Sequence, residues 1–315
     1  LSEVEDDRRQ SRKNNFDYDT YEKVKHIKTG FSWRHLNDDN SSIDSYFFYQ
    51  KRDFNSKLPF NYGGIIFLER DYFGLGTKYS KQFFSDNKSR TITLGIDYNN
   101  QHDDRKRFKN NLGEKGDNTF DQIEKFKSTG LYFINQTNYK SGLLFRYGVR
   151  YDDNRIGTDS EAFISLNRFN PSLGVSYSIN DSNNIYLSTG TSFETPTLNE
   201  LSNNPNGNGL NKSLDPSSSI NYEVGWRKTT SNLMFEAIAY LINTDNEILP
   251  YELEQFPGKN FYRNVGSTRR YGIELSSKIL FSNGNLNLSY TNAKNTFSDF
   301  LLDGEDLKGF SLPGI

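Results

Sequence analysis

Cysteine is absent from the 315 residues, and methionine and tryptophan are scarce, with one and two copies. Without cysteine the chain cannot form disulfides, iron–sulfur clusters or thiolate zinc sites. No apolar run approaches the roughly 18–20 residues that a membrane-spanning helix requires. The amino terminus, LSEVEDDRRQSRKNN, contains no apolar signal core. A net charge of -2 without a long basic block argues against nucleic acid as a partner.

Aromatic residues are abundant on an otherwise polar background. They make up 15% of the chain, whereas all hydrophobic residues together reach only 34%. A soluble domain usually contains roughly 45–50% apolar residues. This combination indicates sheets in which tyrosine and phenylalanine cover one face.

Alternation with a period of two residues is the strongest pattern, and no segment shows comparable helical periodicity. Apolar residues occupy every second position from Ile92 to Tyr98, from Leu143 to Tyr151 and from Ile220 to Trp226. The intervening positions of such strands are polar, small or charged. They include Arg146, Arg150, Asp152, Glu223, Arg227, Glu274 and Lys278. We expect these charges to face a wet interior, where they pair across strands.

The connections alternate between short and long. Short polar turns are predicted near 38–42, 85–89, 140–142, 180–183, 229–231 and 282–284. Long loops are predicted near 53–73, 100–127, 154–167, 196–217, 246–259 and 298–311. About twelve strands of roughly 9–20 residues, with every long loop at one end, are typical of a transmembrane β-barrel. A soluble β-sandwich alternates in the same way but seldom keeps its long loops together.

The fold class predicted is therefore all-β, an antiparallel transmembrane β-barrel. Aromatic side chains on its outward face would form belts at the membrane interfaces. The residues expected there are Tyr147, Tyr151, Tyr177, Trp226, Phe235 and Tyr240.

Four sequence motifs follow one another in the second half of the chain. In GTSFETPTLNEL, a strand ends in a Phe-x-x-Pro-(x)3-Glu-Leu element. A Tyr-Glu-x-Gly strand, an Asn-x-Gly element and a Gly-x-Glu element follow. The residues of these motifs are Phe193, Pro196, Glu200, Leu201, Tyr222, Glu223, Gly225, Asn264, Gly266, Gly272 and Glu274. In this order they resemble the barrel of TonB-dependent outer-membrane receptors.

The resemblance implies a barrel of about 22 strands filled by an amino-terminal plug. Residues 1–315 would then be part of that barrel, a fragment without the plug domain and the last strands. It also implies a place in the bacterial outer membrane and uptake of a ferric siderophore or related metal chelate. The energy would come from a TonB complex acting on the plug. The alternatives are a passive porin or structural barrel, and a soluble or secreted β-rich binding module.

No catalytic constellation is present, so an enzyme is not expected. The three histidines, His26, His35 and His102, are far apart in sequence. No metal site or cofactor is predicted, since the iron complex would be the ligand. No histidine occurs between residues 193 and 219, which argues against haem under the resemblance.

Two segments supply candidate ligand contacts. Arg105, Lys106, Arg107 and Lys109 lie in the most charged segment, and guanidinium groups bind carboxylates in bidentate fashion. Neighbouring acids also allow that segment to be an ordinary solvated surface. In the other segment, Phe193 and Pro196 would shape the exit of a long loop, and the candidate contacts are Glu194, Asn199 and Glu200 together with Phe193.

Overall fold

The computed structural model describes residues 13–312 except residues 208, 257 and 303. Twelve strands form one antiparallel sheet in which each strand pairs with the next strand of the sheet along the chain. These strands are β1 (Tyr21–Leu36), β2 (Ser41–Lys57), β3 (Ile65–Ser85), β4 (Lys88–Asn111), β5 (Glu114–Tyr139), β6 (Leu143–Thr158), β7 (Ile164–Asn180), β8 (Asn183–Glu194), β9 (Ser217–Thr229), β10 (Leu233–Asp245), β13 (Ser267–Phe281) and β14 (Gly284–Asp299). The predicted number of strands is confirmed.

Smaller elements lie outside this sheet. They are the helices α1 (Lys13–Asp17) and α2 (Leu198–Ser202) and the two-stranded pairs β11 (Ile248–Glu252) with β12 (Asn260–Asn264) and β15 (Leu301–Leu302) with β16 (Glu305–Asp306). Within the described ranges no helix is long and apolar enough to cross a membrane. The sheet is open over these residues, since β1 and β14 each pair with one neighbour.

The short turns lie where the sequence predicts them, but three of the six predicted long loops are shorter than expected. The predicted loop at 100–127 is wrong, because β4 and β5 continue to a two-residue turn at Leu112 and Gly113, both with positive φ. The loops at 53–73 and 154–167 shrink to residues 58–64 and 159–163. Backbone ladders continue where side chains are polar on both faces, so the loss of apolar alternation does not mark the end of a strand.

One face of the sheet carries an apolar band next to the short turns. On β4 the band runs from Ile92 to Tyr98 and then gives way to Asn100 and His102 on the same face. Such a band, about 25 Å tall, is the lipid-facing surface of a transmembrane barrel. The other face is polar. Arg150 pairs there with Asp97 of β4 at 2.7 Å, as the predicted cross-strand pairing of charges requires, and with Asp152 of its own strand at 2.8 Å.

Tyr240 is a correction to the predicted outward aromatic belt. It lies directly opposite Glu223 and Gly272 in the ladder, and residues directly opposite share a face. Phe235, five residues earlier, is on the other face, because successive side chains alternate. The prediction placed both on one face, which their odd spacing does not allow.

Four tyrosines of the polar face cover a glycine on the adjacent strand. The directly opposed pairs are Tyr46–Gly76, Tyr132–Gly95, Tyr186–Gly225 and Tyr240–Gly272. A Cβ added at Gly225 would lie 2.3 Å from the Tyr186 ring. These glycines therefore provide the space in which each ring lies flat against the wall.

Candidate functional site

The end of the sheet with the long connections extends well beyond the apolar band. Arg105 lies seven residues past Tyr98 on β4, about 23 Å along a strand. Most of the buried residues also occur at this end, including Ile156, Leu201 and Phe261. We call this end the mouth, defined by the ends of β3–β6, residues 58–64, residues 195–216 and the β11–β12 hairpin.

Residues 195–207 and 209–216 fold inward over the polar face. After β8 ends at Glu194, the buried Pro196 precedes α2, which begins with a capping box between Thr197 and Glu200. The Thr197 hydroxyl accepts from the Glu200 amide at 3.2 Å, and the Glu200 carboxylate accepts from the Thr197 amide at 2.7 Å. This box turns the chain back toward the wall. The residues that then pack together are Leu198, Leu201, Leu210, Leu214 and Ile156.

A buried polar cluster ties α2 to the wall. Arg105 Nε lies 3.0 Å from a carboxylate oxygen of Glu124, and Arg105 donates to Asn199 Oδ1 at 3.2 Å. The Ser202 hydroxyl donates to the same Glu124. Both charged side chains are at most 5% exposed. Burial raises the pKa of Glu124, and the guanidinium of Arg105 opposes that rise.

The four predicted basic contacts therefore lie in different surroundings. Arg105 is part of the cluster that holds α2. Lys106 pairs with Asp104 at 3.3 Å, and Lys109 pairs with the exposed Asp117 at 2.9 Å. Arg107 is only 7% exposed, and its guanidinium lies 5.9 Å from the centre of the Phe120 ring.

Arg107 is the least compensated of these charges. Its Nε is buried and has no hydrogen-bond partner among the described residues. Burial, reinforced by the positive charge of Arg105, lowers the pKa of Arg107 to about 10. A buried cation of this kind favours an anion as a neighbour.

The β11–β12 hairpin reaches across the mouth to residues 58–64. Six strands of the sheet lie between β3 and β10, yet the Tyr62 and Phe256 rings are 5.3 Å apart. The hairpin and the loop border a cleft of about 700 Å³. The hairpin therefore closes part of the opening from the opposite side of the curved sheet.

Lys259 enters this cleft within a set of aromatic rings. Its Nζ lies 4.8 Å from the centre of Phe261, 5.6 Å from Phe256 and 6.0 Å from Tyr62. Burial, with the charge of Arg107 as a second cause, lowers the pKa of Lys259 to about 8. Lys259 and Glu124 are not among the residues predicted from the sequence. The only local signal for Lys259 is its position between two phenylalanines, Phe256 and Phe261.

Some of the remaining residues of the Phe193–Leu201 element hold the loop in place, and others end the strand or are exposed. Phe193 is half-buried and Glu194 is exposed, and both pair with β9 as the last residues of β8. Glu200 belongs to the capping box, and Leu201 is 2% exposed. Of the predicted contacts in this element, Asn199 and Glu200 help to hold the loop, whereas Phe193 and Glu194 are the last residues of the strand.

Two of the other motif residues, Asn264 and Gly266, hold neighbouring backbone segments together. Asn264 donates to the carbonyls of Asp215 and Asn246 and accepts from the Asp215 amide, at 2.7–2.8 Å. A Cβ at Gly266 would lie 1.9 Å from the Asp299 carbonyl oxygen. Asn264 thus ties residues 195–216 to the hairpin, and Gly266 permits a close approach of two backbones.

The strand motifs lie on the wall. Glu223 accepts from the Tyr186 hydroxyl at 2.7 Å, beside the Gly225 that the same ring covers. Gly272 lies under Tyr240, and Glu274 is exposed on the polar face opposite Ile238. Tyr222 is on the other, lipid-facing side and is 45% exposed.

Comparison with known proteins agrees with this architecture. The family model for the TonB-dependent receptor-like β-barrel matches residues 3–315. The alcaligin outer-membrane receptor from Bordetella pertussis is 19% identical with a TM-score of 0.68, over 92% of this chain and 48% of that one. The ferric-catecholate import receptor from E. coli K12 is 14% identical with a TM-score of 0.69, over 93% and 50%.

A third similar structure is named as a transporter of a different metal. A copper transporter is 16% identical with a TM-score of 0.65, over 88% of this chain and 47% of its own. The chain thus spans about half the length of these solved structures. At these identities the likeness shows the fold and does not select a ligand.

Proposed function

Because the chain belongs to the TonB-dependent receptor β-barrel family, we propose that it is part of an outer-membrane receptor that takes up a ferric siderophore or a similar iron complex. Proteins of this family are outer-membrane receptors and transporters and are not enzymes. Among the solved structures it resembles are receptors named for alcaligin and for ferric catecholates.

The observation that carries the ligand class is the pair of cations at the mouth. Arg107 is buried and Lys259 is half-buried, the charge of Arg107 contributes to the lowered pKa of Lys259, and no ion pair holds either one among the described residues. Three aromatic rings surround Lys259. A chelate with negative charge and flat donor groups would neutralise the cations and stack on the rings.

The full receptor would work in two stages. The mouth captures the iron complex, and an amino-terminal plug domain encoded before Leu1 completes the site. A TonB complex then supplies the energy by acting on that plug. The sequence upstream of Leu1 tests this part, because a gene without a plug domain would instead favour a passive porin.

Competition binding on the full-length receptor tests the ligand. Ferric siderophores, haem and cobalamin are compared at one pH and one salt concentration. We expect a ferric siderophore to bind best, and Lys259→Ala to weaken it about tenfold to a hundredfold, since a charge-assisted contact is lost. The control is Lys212→Ala, a lysine of the mouth that pairs with Glu161 at 3.2 Å. Binding of cobalamin alone would refute the proposal.

A further inference from the structure

Asn110 lies at the mouth end of β4, where the ladder with β5 is irregular. The register shifts between Arg107 and Phe108 and again between Phe108 and Asn110. A β-bulge of this kind re-aims a side chain of the strand. Asn110 is 0% exposed, so both polar atoms of its side-chain amide require hydrogen-bond partners.

The side-chain amide of Asn110 joins three segments of the chain. Its Nδ2 donates to the carbonyls of Leu58 and Tyr18, at 3.0 Å each, and its Oδ1 accepts from the Gly113 amide at 2.7 Å. These partners belong to the loop after β2, to the segment before β1 and to the turn between β4 and β5. All three partners are backbone groups, so Asn110 fixes the course of the chain.

Asn61 adds a second connection between β4 and residues 58–64. The backbone amide of Asn110 donates to the Asn61 carbonyl at 2.7 Å. The Asn61 side chain donates to the Asn110 carbonyl at 3.2 Å and to Asn111 Oδ1 at 2.7 Å. Within the loop, the Leu58 amide donates to the Gly64 carbonyl at 2.7 Å. Residues 58–64 are therefore closed on themselves and held at two points by Asn110.

Residues 58–64 in turn form part of the surroundings of both cations at the mouth. A Cβ added at Gly63, which has a φ of +72°, would lie 3.7 Å from Cδ of Arg107. The loop therefore packs on the stem of this buried side chain. The Tyr62 ring is 5.3 Å from that of Phe256 and 6.0 Å from Nζ of Lys259. A shift of the loop would uncover Arg107 and remove one ring from Lys259.

From these contacts we propose that Asn110 is a positioning residue of the ligand site at the mouth and acts through residues 58–64. It has no exposed surface with which to touch a ligand. Its role is to set Tyr62 against the β11–β12 hairpin and Gly63 over Arg107. The inference rests on the proposed function for the ligand, and it adds a residue outside the four sequence motifs and the predicted contacts.

Lysine acetylation in the full-length receptor tests the position of the loop without any ligand. Trace acetic anhydride labels an amine in proportion to its unprotonated fraction, and mass spectrometry follows Lys259 across the alkaline range with Lys212 as the internal reference. Burial lowers the pKa of Lys259 to about 8. In Asn110→Ala we expect the midpoint of labelling to move up toward 10.5, the ordinary value for lysine, because a displaced loop exposes the amine to water.

Two further variants keep this test decisive. Asn61→Ala changes an exposed residue, so it carries the test even if Asn110→Ala fails to assemble. It should shift the midpoint in the same direction and add little in the double variant, because both residues act on one loop. Asn118→Ala is the control, since this exposed side chain accepts only from the Phe120 amide of its own strand. An unchanged midpoint in Asn110→Ala and Asn61→Ala, or an equal shift in Asn118→Ala, would overturn the proposal.

Binding then separates the positioning role from the proposed function. The probe is the ferric siderophore that binds best in the competition experiment above, and Asn110→Ala should weaken it about tenfold, the value of one lost hydrogen-bonded contact. A shifted midpoint with unchanged affinity would overturn the positioning role. A shifted midpoint in a receptor that binds no ferric siderophore would refute the proposed function and leave the role of Asn110 in placing the loop supported.

Discussion

Residues of the same type have different roles at the mouth because burial, rather than sequence position, decides what each charge does. Arg105 and Arg107 are two positions apart and face the same way, yet Arg105 forms an ion pair with Glu124 and donates to Asn199 of α2, whereas Arg107 has no ion pair among the described residues. Lys106, between them, faces the other side and pairs with Asp104. Arg107 is buried and Lys259 is half-buried, and neither has a described carboxylate partner.

The lowered pKa of Lys259 gives a prediction for pH. An anionic ligand prefers the protonated amine, so affinity should stay level up to about pH 8, the pKa of this group, and fall above it by at most about tenfold per pH unit. Lys259→Arg keeps its charge throughout this range and should remove that fall. Binding of one ferric siderophore is measured from pH 6.5 to 9.5 for both proteins.

The ratio of the two affinities at each pH is the quantity of interest, because titration of the ligand itself cancels from it. A ratio that stays constant across the range would contradict a role for Lys259 in binding an anion.

Among the elements, residues 195–216 and the β11–β12 hairpin form the mouth together. α2 is fixed by its capping box and by its leucines, and the hairpin is joined to the same loop through Asn264. Both elements belong to motifs that the sequence analysis singled out. Their residues mainly position the loops, so the motifs are the framework of the mouth.

Asn264→Ala should loosen the junction between the loop and the hairpin. It leaves the Asp215 amide and the carbonyls of Asp215 and Asn246 without their partner, at a local cost of about 1–2 kcal/mol. Hydrogen exchange of residues 211–216 measures the change, and faster exchange is expected there. Asn285→Ala, at an exposed strand start, is the control and should not alter that segment. Unchanged exchange in Asn264→Ala would show that the junction is held by other contacts.

At the scale of the whole molecule, the sheet consists of a membrane part and an external part. The apolar band occupies the half next to the short turns, and the ladders then continue into the mouth, where most of the buried residues lie. A long strand with polar residues on both faces of its outer half serves both regions. This division explains a low hydrophobic content in a protein that spans a membrane.

Placing one charge on either side of β4 tests this division. Leu94 lies within the outward band, and its neighbour Thr93 faces the polar side, where its hydroxyl lies 2.9 Å from that of Ser80. Leu94→Lys should cost about 2–4 kcal/mol in the membrane, and Thr93→Lys about 0.5 kcal/mol or less. Urea unfolding of the full-length receptor in lipid bilayers, followed by heat-modifiable migration, measures both. Equal costs would argue against a lipid-facing band on this side.

Much of the fold could be predicted because its signals are local. Alternation assigns Ile92 and Leu94 to one face and Thr93 to the other, and short polar turns mark one end of every hairpin. The loop predicted at 100–127 is wrong for a different reason: a ladder outside the membrane needs no apolar alternation, so no local pattern marks these strands. Tyr240 is predicted to face outward, but its odd spacing from Phe235 and its register place it on the polar face.

The sequence alone determined the number of strands, the short turns, the alternation of faces and the resemblance to the receptor family. These properties depend on neighbours along the chain. Only the tertiary structure decided that Arg105 holds a loop, that Arg107 is buried with an unpartnered Nε, and that Lys259 joins it among aromatic rings. Such roles arise where loops distant in sequence fold over one wall, and burial there depends on every segment that meets at the mouth.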